Sequence, residues 1–300
     1  MAPLQPKDYQ SELRPIWCPG CGDYGVLAAL CQALAMLGVS HERLVVVSGI
    51  GCSSRMPGYI HSYGFHGIHG RAVPLATGIK LARPDLTVLV TMGDGDAYSI
   101  GGNHLIHAAR RNLDLTCIIM NNQIYGMTKG QVSPTTPYGD RTSTTPYGSI
   151  EPPVDPLLLA LAAGATFVAR GASWEAKHLA ALIAEGIRHR GFSVIDVLSP
   201  CVTFRPEDLA YWKEQIRTED APLMSARDRL DAIRRVLADD GRRLGVFYQE
   251  SRLTYWDQWK ANVQVAKARP AGPKGLDAIV GELARGKPKT LTQPEPEPPR

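Results

Sequence analysis

The stretch Thr87-Val88-Leu89-Val90-Thr91-Met92-Gly93-Asp94-Gly95-Asp96, followed after a helix-length interval by Leu115-Thr116-Cys117-Ile118-Ile119-Met120-Asn121-Asn122-Gln123-Ile124-Tyr125-Gly126, decides the fold of this chain. Thr87 to Thr91 and Leu115 to Met120 are short apolar runs with β-branched residues, the pattern of strands buried in a parallel sheet. Between them Ile100, Leu105, Ile106 and Ala109 recur at roughly helical spacing, so the unit reads as strand, helix, strand. Each strand ends just before an oxygen donor, Asp94 or Asn122, and open α/β sheets bind ligands at the carboxyl ends of their strands. Gly93 and Gly95 let backbone approach a phosphate, and the following helix offers it N–H groups. A hard cation such as Mg2+ takes few oxygen ligands from protein and completes its shell with phosphate and water. Either Gly-Asp-Gly or Asn-Asn alone would be an ordinary turn after a strand; together at this spacing they read as a cation and diphosphate site.

That layout is the one found in thiamine diphosphate motifs, and the flanking sequence supports the same architecture. Leu44 to Ser48 and Phe192 to Leu198 are further strands, while Leu244 to Arg252 is a candidate for one more. Val26, Leu27, Leu30, Leu34 and Leu37 form a helix stripe ending at Gly38; Leu75, Ile79 and Leu81 mark a helix stopped near Pro84; Ser173 to His189 reads as an amphipathic helix with a serine cap. The expected fold is α/β, a thiamine diphosphate-binding fold with a mostly parallel sheet and helices on both faces. Residues 1–205 would hold this domain, 206–269 a C-terminal extension with a basic helix from Ser225 to Leu237 and an aromatic cluster of Tyr255, Trp256 and Trp259, and 270–300 a mobile tail rich in Pro, Lys and Glu. Met127 to Pro156 reads as a long active-site loop.

The cysteines give an independent signal. Cys18 and Cys21 form a C-x2-C pair, Cys52 follows the strand ending at Ser48, and Cys201 follows the strand ending at Leu198. Four thiolates at strand ends suit a cubane iron–sulfur cluster, with structural zinc as the competitor; zinc sites more often use two compact pairs. Cys31 and Cys117 lie in a helix pattern and a strand and read as small core residues.

Taken together, Trp17-Cys18-Pro19-Gly20-Cys21-Gly22, Gly49-Ile50-Gly51-Cys52-Ser53-Ser54-Arg55, His69-Gly70-Arg71-Ala72, Gly93-Asp94-Gly95-Asp96, the run from Asn121 to Gln131 and Ser199-Pro200-Cys201 resemble the β subunit of 2-oxoacid:ferredoxin oxidoreductases, most closely the two-subunit type acting on 2-oxoglutarate or a range of 2-oxoacids. The resemblance runs in order across about the first two thirds of the chain. It implies that Cys18, Cys21, Cys52 and Cys201 ligate one 4Fe-4S cluster, and that Asp94, Asn122 and the backbone carbonyl of Ile124 ligate Mg2+. It implies that Ile50, Gly51, Cys52, Ser53, His69, Gly95, Asp96, Gly126 and Met127 line thiamine diphosphate, so that cluster and cofactor share the Cys52 loop. The activity implied is thiamine-dependent and coenzyme A-dependent oxidative decarboxylation of a 2-oxoacid to acyl-CoA and CO2, with electrons passing through the cluster to ferredoxin, and reductive carboxylation in reverse. No second doubly wound unit is visible downstream, so a partner α subunit is expected to supply the pyrimidine-side glutamate, most coenzyme A contacts and much of the substrate pocket, in a heterodimer that doubles. Pyruvate or broad 2-oxoacid specificity, a non-redox thiamine decarboxylase or carboligase, and a non-catalytic electron-transfer or scaffold subunit are the alternatives.

His69 and Lys129 are the candidate catalytic groups. Histidine titrates near neutrality and suits proton transfer or cofactor orientation, whereas a loop lysine suits a substrate carboxylate or phosphate; for His66 a hydrogen-bonded loop role is preferred, and Arg55 and Arg71 are weaker candidates than Lys129. Asp96 would also serve simply as a helix cap. With 44% hydrophobic residues in 300 the chain can bury a good core, and a net charge of only +4 with scattered Lys and Arg does not suggest nucleic-acid binding. No membrane span or signal peptide is apparent, which points to a cytoplasmic, reducing setting where thiolates outlast disulfides.

Overall fold

The apolar runs become strands in a computed structural model that describes residues 3–216, 228–239, 241 and 243–268. The strands are β1 (Leu44–Ser48), β2 (Tyr63–His66), β3 (Thr87–Gly93), β4 (Leu115–Asn121), β5 (Phe167–Ala172), β6 (Phe192–Leu198) and β7 (Gly245–Gln249). They form a seven-stranded sheet in the order β2-β1-β3-β4-β6-β5-β7. All neighbours are parallel except β7, which runs antiparallel to β5. The helices are α1 (Asp23–Leu37), α2 (Met56–Tyr59), α3 (Ala72–Ala82), α4 (Gly102–Arg111), α5 (Pro156–Ala163), α6 (Ala176–Arg188), α7 (Asp208–Gln215), α8 (Arg229–Asp239) and α9 (Tyr255–Ala268).

Because successive side chains of a strand point to opposite faces, each central strand feeds two cores. Val45, Val47, Val88, Val90, Cys117, Ile119 and Val194 enter one core, closed by residues of α3, α4, α5 and α8. Val46, Leu89, Ile118, Ile195 and Val197 enter the other, closed by α1 and α6. Phe167 and Phe192 are fully buried, and burial of such a side chain contributes about 1.5–3 kcal/mol. Cys31 and Cys117 are buried core residues, as expected of them.

Several local expectations change. Ser173 does not cap α6, which begins at Ala176 after Glu175; Ser173 is buried and its N–H donates to the Leu198 carbonyl. On α4 Gly102, Leu105, Ala108 and Ala109 are buried, Ile106 lies on its exposed face, and a distortion at Ser99 (ψ −106°) separates the exposed Ile100 from the regular helix. α8 starts at Arg229, and Ser225 lies outside the described residues. The strand anticipated after Leu244 forms as β7 and joins the same sheet; Asn112 fastens the segment after it by donating to the Arg252 and Leu253 carbonyls. The chain divides into a unit Met1–Asp257 and a second unit Gln258–Arg300. The tail expected over 270–300 lies outside the described residues. Among the described residues no helix is long and apolar enough to cross a membrane.

Candidate active site

The chain leaves β3 through Gly93 into a wide π-type turn over Gly95–Ile100, a feature frequent at functional sites. Asp94 starts that turn and is only 2% exposed. Its carboxylate accepts from Thr135 Oγ1 at 2.7 Å, and burial raises its pKa despite hydrogen bonds from Ser133, Thr135 and backbone N–H groups. No basic side chain is among these partners, and a bound cation would offset the burial of its charge. At the end of β4, Asn122 Oδ1 accepts from the Ile124 N–H at 3.0 Å, and the intervening Gln123 takes the left-handed conformation (φ 57°) that closes this tight turn. Asp94, Asn122 and Ile124 all face one cavity of about 390 Å³.

Every residue that the resemblance assigned to thiamine diphosphate lines the same cavity: Ile50, Gly51, Cys52 and Ser53 after β1, His69 after β2, Gly95 and Asp96 after β3, and Gly126 and Met127 after β4. Lys129 does not; it is exposed, with a left-handed backbone (φ 88°), one residue beyond the cavity-lining Thr128. The glycines are sterically required. A Cβ on Gly95 would stand 2.2 Å from the Tyr125 ring, and one on Gly49 would stand 2.1 Å from Asp96 Oδ2.

Asp96 is not a helix cap. Its carboxylate turns back toward the loops after β1 and β2, accepting from the N–H groups of Gly70 and Ile50 and pairing with His69 Nδ1 at 3.0 Å. The imidazole is thereby oriented while a third of its side chain stays exposed. A histidine held by a buried carboxylate at a cavity wall is suited to hold or move a proton. His66 is an exposed residue of β2 and lines no part of this cavity.

The cysteine-bearing loops meet beside it. Trp17, in front of Cys18, is 6% exposed and donates from Nε1 to the Cys52 carbonyl at 2.8 Å; the Gly22 N–H donates to the Pro200 carbonyl at 3.1 Å. Gly126 brings the cavity wall against Cys201, whose Sγ lies 3.4 Å from where a Cβ would be. Burial pushes the Cys52 thiol up to about 11, helped by Asp23 and by the neighbouring Cys201 and Cys18; Cys21 is raised by burial and by Asp23, Cys52 and Cys201. Cys52 thus feels both Cys18 and Cys201, and Cys21 feels Cys52 and Cys201. Raised thiol pKa values make poor nucleophiles, whereas metal binding replaces the protons. All six cysteines are free. Among the described residues no three His, Cys, Asp or Glu side chains converge to hold a single metal ion.

Some residues of the site had no role assigned from the sequence, although Tyr125, Thr128 and Gln131 lie in the run that carries the resemblance. Asp23, Met120, Tyr125, Thr128, Gln131 and Val132 also line the cavity. Asp23 is buried and accepts from Ser199 Oγ at 2.8 Å, linking the two cysteine loops; burial lifts it to about 6. Its position two residues after Cys21 was the available signal. Behind the site, Asp196 is 1% exposed and accepts from Tyr98 Oη at 3.1 Å and from Asn121 Nδ2. Burial pushes Asp196 up to about 7, with Arg170, Tyr98 and Asn121 opposing. The usual aspartate value is about 3.9, so between pH ~4 and ~7 the folded chain retains a proton that the unfolded chain releases. Stability therefore falls as pH rises through that window and levels off above it. Urea denaturation at pH 5 and 8 should show Asp196→Asn losing about 2 kcal/mol less than the parent; equal losses would contradict this.

The donor set fits the groups it would hold. Two oxygen-bearing side chains and a backbone carbonyl suit a cation completed by phosphate and water, and glycine-bounded walls suit a diphosphate. Comparisons with known proteins agree with this chemistry. The family model described as "Thiamine pyrophosphate enzyme, C-terminal TPP binding domain" matches residues 49–197. The chain is 50% identical over 202 residues to the 2-oxoglutarate oxidoreductase subunit KorB of Mycobacterium tuberculosis, a match spanning 67% of this chain and 54% of that protein. It is 39% identical over 291 residues to the 2-oxoacid:ferredoxin oxidoreductase subunit beta of Saccharolobus solfataricus, covering 91% of this chain and 93% of that protein. Its fold matches a solved chain of the 2-oxoglutarate:ferredoxin oxidoreductase from Magnetococcus marinus, determined with 2-oxoglutarate, coenzyme A and succinyl-CoA bound, at a TM-score of 0.84 and 40% identity over 96% of this chain and 98% of that one. A parallel sheet with its cavity at the strand ends, and relatives of this similarity along nearly the whole chain, establish that it belongs to the β subunits of the 2-oxoacid:ferredoxin oxidoreductase family.

Proposed function

We propose that this chain is the cofactor-bearing subunit of an enzyme that converts 2-oxoglutarate and coenzyme A to succinyl-CoA and CO2, passes the electrons to ferredoxin, and also runs in reverse as a reductive carboxylation. The observation that carries this reading is one cavity lined by all the residues assigned to thiamine diphosphate and Mg2+, with Cys52 in its wall. When bound, thiamine diphosphate supplies a carbon nucleophile and an electron sink for loss of CO2, and a 4Fe-4S cluster supplies single-electron acceptance.

Asp94, Asn122 and the Ile124 carbonyl would hold Mg2+, while Gly51 to Ser53 and Gly95 let backbone approach the diphosphate. Cys18, Cys21, Cys52 and Cys201 would hold the cluster. A cubane gives each thiolate its own iron and needs no convergence of donors on one point, unlike a tetrahedral zinc. Cys52 would place the cluster against the cofactor. His69, oriented by Asp96, would hold a proton at the cavity wall, where Ile50, Met120 and Met127 supply apolar surface. Lys129, next to Thr128 on the cavity wall, would meet a substrate carboxylate.

An α subunit would complete the site with its glutamate and most coenzyme A contacts, in a heterodimer that doubles. Six free cysteines fit a reducing cytoplasm. The choice of 2-oxoglutarate rests on the names of the relatives and on the ligands of the Magnetococcus structure. Steady-state assay of the co-purified complex, with coenzyme A and a low-potential acceptor, should give kcat/KM for 2-oxoglutarate at least about tenfold above pyruvate, a preference of about 1.4 kcal/mol. Equal or inverted values would reassign the substrate.

A further inference from the structure

The loop from Met127 to Pro156 reaches the cation site through the hydroxyls of Thr135 and Ser133, of which Thr135 also approaches the end of β4. Thr135 is 3% exposed, and its Oγ1 lies 2.7 Å from Asp94 Oδ2 and 2.9 Å from Asn121 Oδ1. It therefore sits between the two strand ends of the proposed cation site: Asp94 follows β3, and Asn121 precedes Asn122 at the end of β4. A threonine has one hydroxyl proton, and the nearer carboxylate is the stronger acceptor. Asn121 Oδ1 keeps the Gln123 N–H at 3.2 Å, and Asn121 Nδ2 donates to Asp196 at 3.3 Å. Neighbouring Thr136 fixes the same stretch differently: its hydroxyl donates to the Gln123 carbonyl at 2.7 Å and accepts from the Ser133 N–H at 2.8 Å. Loop, strand ends and Asp94 are thus joined by buried hydrogen bonds, in which an unmatched partner costs more than an exposed one.

We infer that Thr135 is a positioning residue for the cation site, and that through it cation binding and ordering of the 127–156 loop are coupled. The inference rests on the Mg2+ and thiamine diphosphate reading above. A carboxylate with one oxygen fixed by a buried hydroxyl needs no reorganisation to offer the other to a cation; outer-shell partners of metal ligands are typically worth 10–100-fold in affinity. Coupling is reciprocal, so a bound cation must stabilise the loop by the same factor.

The test uses the α/β complex with thiamine diphosphate and Mn2+, bound Mn2+ being read by loss of the free-ion EPR signal. Thr135→Val keeps shape and removes the hydroxyl; it should weaken Mn2+ binding by about 10- to 100-fold. Thr135→Ser should restore binding to near the parent value. Tryptic cleavage after the exposed Lys129 and Arg141 should slow when Mn2+ and thiamine diphosphate are added to the parent, and stay unchanged in Thr135→Val. A merely structural threonine would alter cleavage equally with and without the ion. Thr135→Ala removes the same hydroxyl should the valine fail to assemble. Mn2+ affinity within twofold of the parent in a folded variant overturns the inference, whereas a parent complex that binds no Mn2+ with thiamine diphosphate overturns the cofactor reading beneath it.

Discussion

Asp94→Ala will abolish Mg2+-dependent binding of thiamine diphosphate while leaving the complex assembled and its visible absorption intact. Asp94 is the one carboxylate among the three donors at the strand ends, and its buried partners are hydroxyls and backbone N–H groups. Removing one partner of a buried charge pair costs about 3–5 kcal/mol, which corresponds to about 10²–10⁴-fold in apparent Mg2+ affinity. Stability should respond in the other direction when the ion is withheld. Without a cation the buried carboxylate carries a desolvation cost, so the Mg2+-free variant should unfold at a temperature no lower than the Mg2+-free parent. Isothermal titration with thiamine diphosphate at several Mg2+ concentrations measures the first effect, and a thermal scan in chelator measures the second. Cofactor binding within threefold of the parent would remove Asp94 from the cation site.

The complementary result is expected from the cysteines. Cys201→Ala should lower the iron content and change the broad visible band, because the cluster would lose one of its four thiolate ligands, yet thiamine diphosphate should still bind: Cys201 lies behind Gly126 and does not line the cavity. Cys52→Ala should disturb both, since Cys52 belongs to the cavity wall as well as to the cysteine group. Cys117→Ala, within β4, should leave the band unchanged. Iron and sulfide analysis beside cofactor titration separates the cases. A Cys201→Ala complex with full iron content would remove that residue from the ligand set.

The division between what the sequence disclosed and what it hid has physical causes. Buried parallel strands are continuous apolar runs, so β1 and β6 could be bounded to the residue and β3 and β4 within two. β2 escaped notice because it is an exposed edge strand containing Gly64, with no apolar run to mark it; β5 contains Arg170 and Gly171, which dilute the same signal. The cavity residues were legible wherever chemistry restricts the choice, as at Asp94, Asn122 and the glycines beside them. Asp96 was half legible: its place after Gly95 suggests a cap, and only the fold shows it turning to His69. Thr135 was not legible at all, since one threonine in a loop of Pro, Thr and Tyr is distinguished solely by its approach to Asp94 and Asn121 across the sheet.

The most direct test of the central claim is the visible spectrum of the anaerobically co-purified α/β complex, loaded with thiamine diphosphate and Mg2+, before and after addition of 2-oxoglutarate. A broad iron–sulfur band that bleaches with 2-oxoglutarate, and less with pyruvate, is the expected result. A band that no 2-oxoacid bleaches would contradict electron flow from this cavity to the cysteines, and a complex with no visible band would contradict the cluster itself.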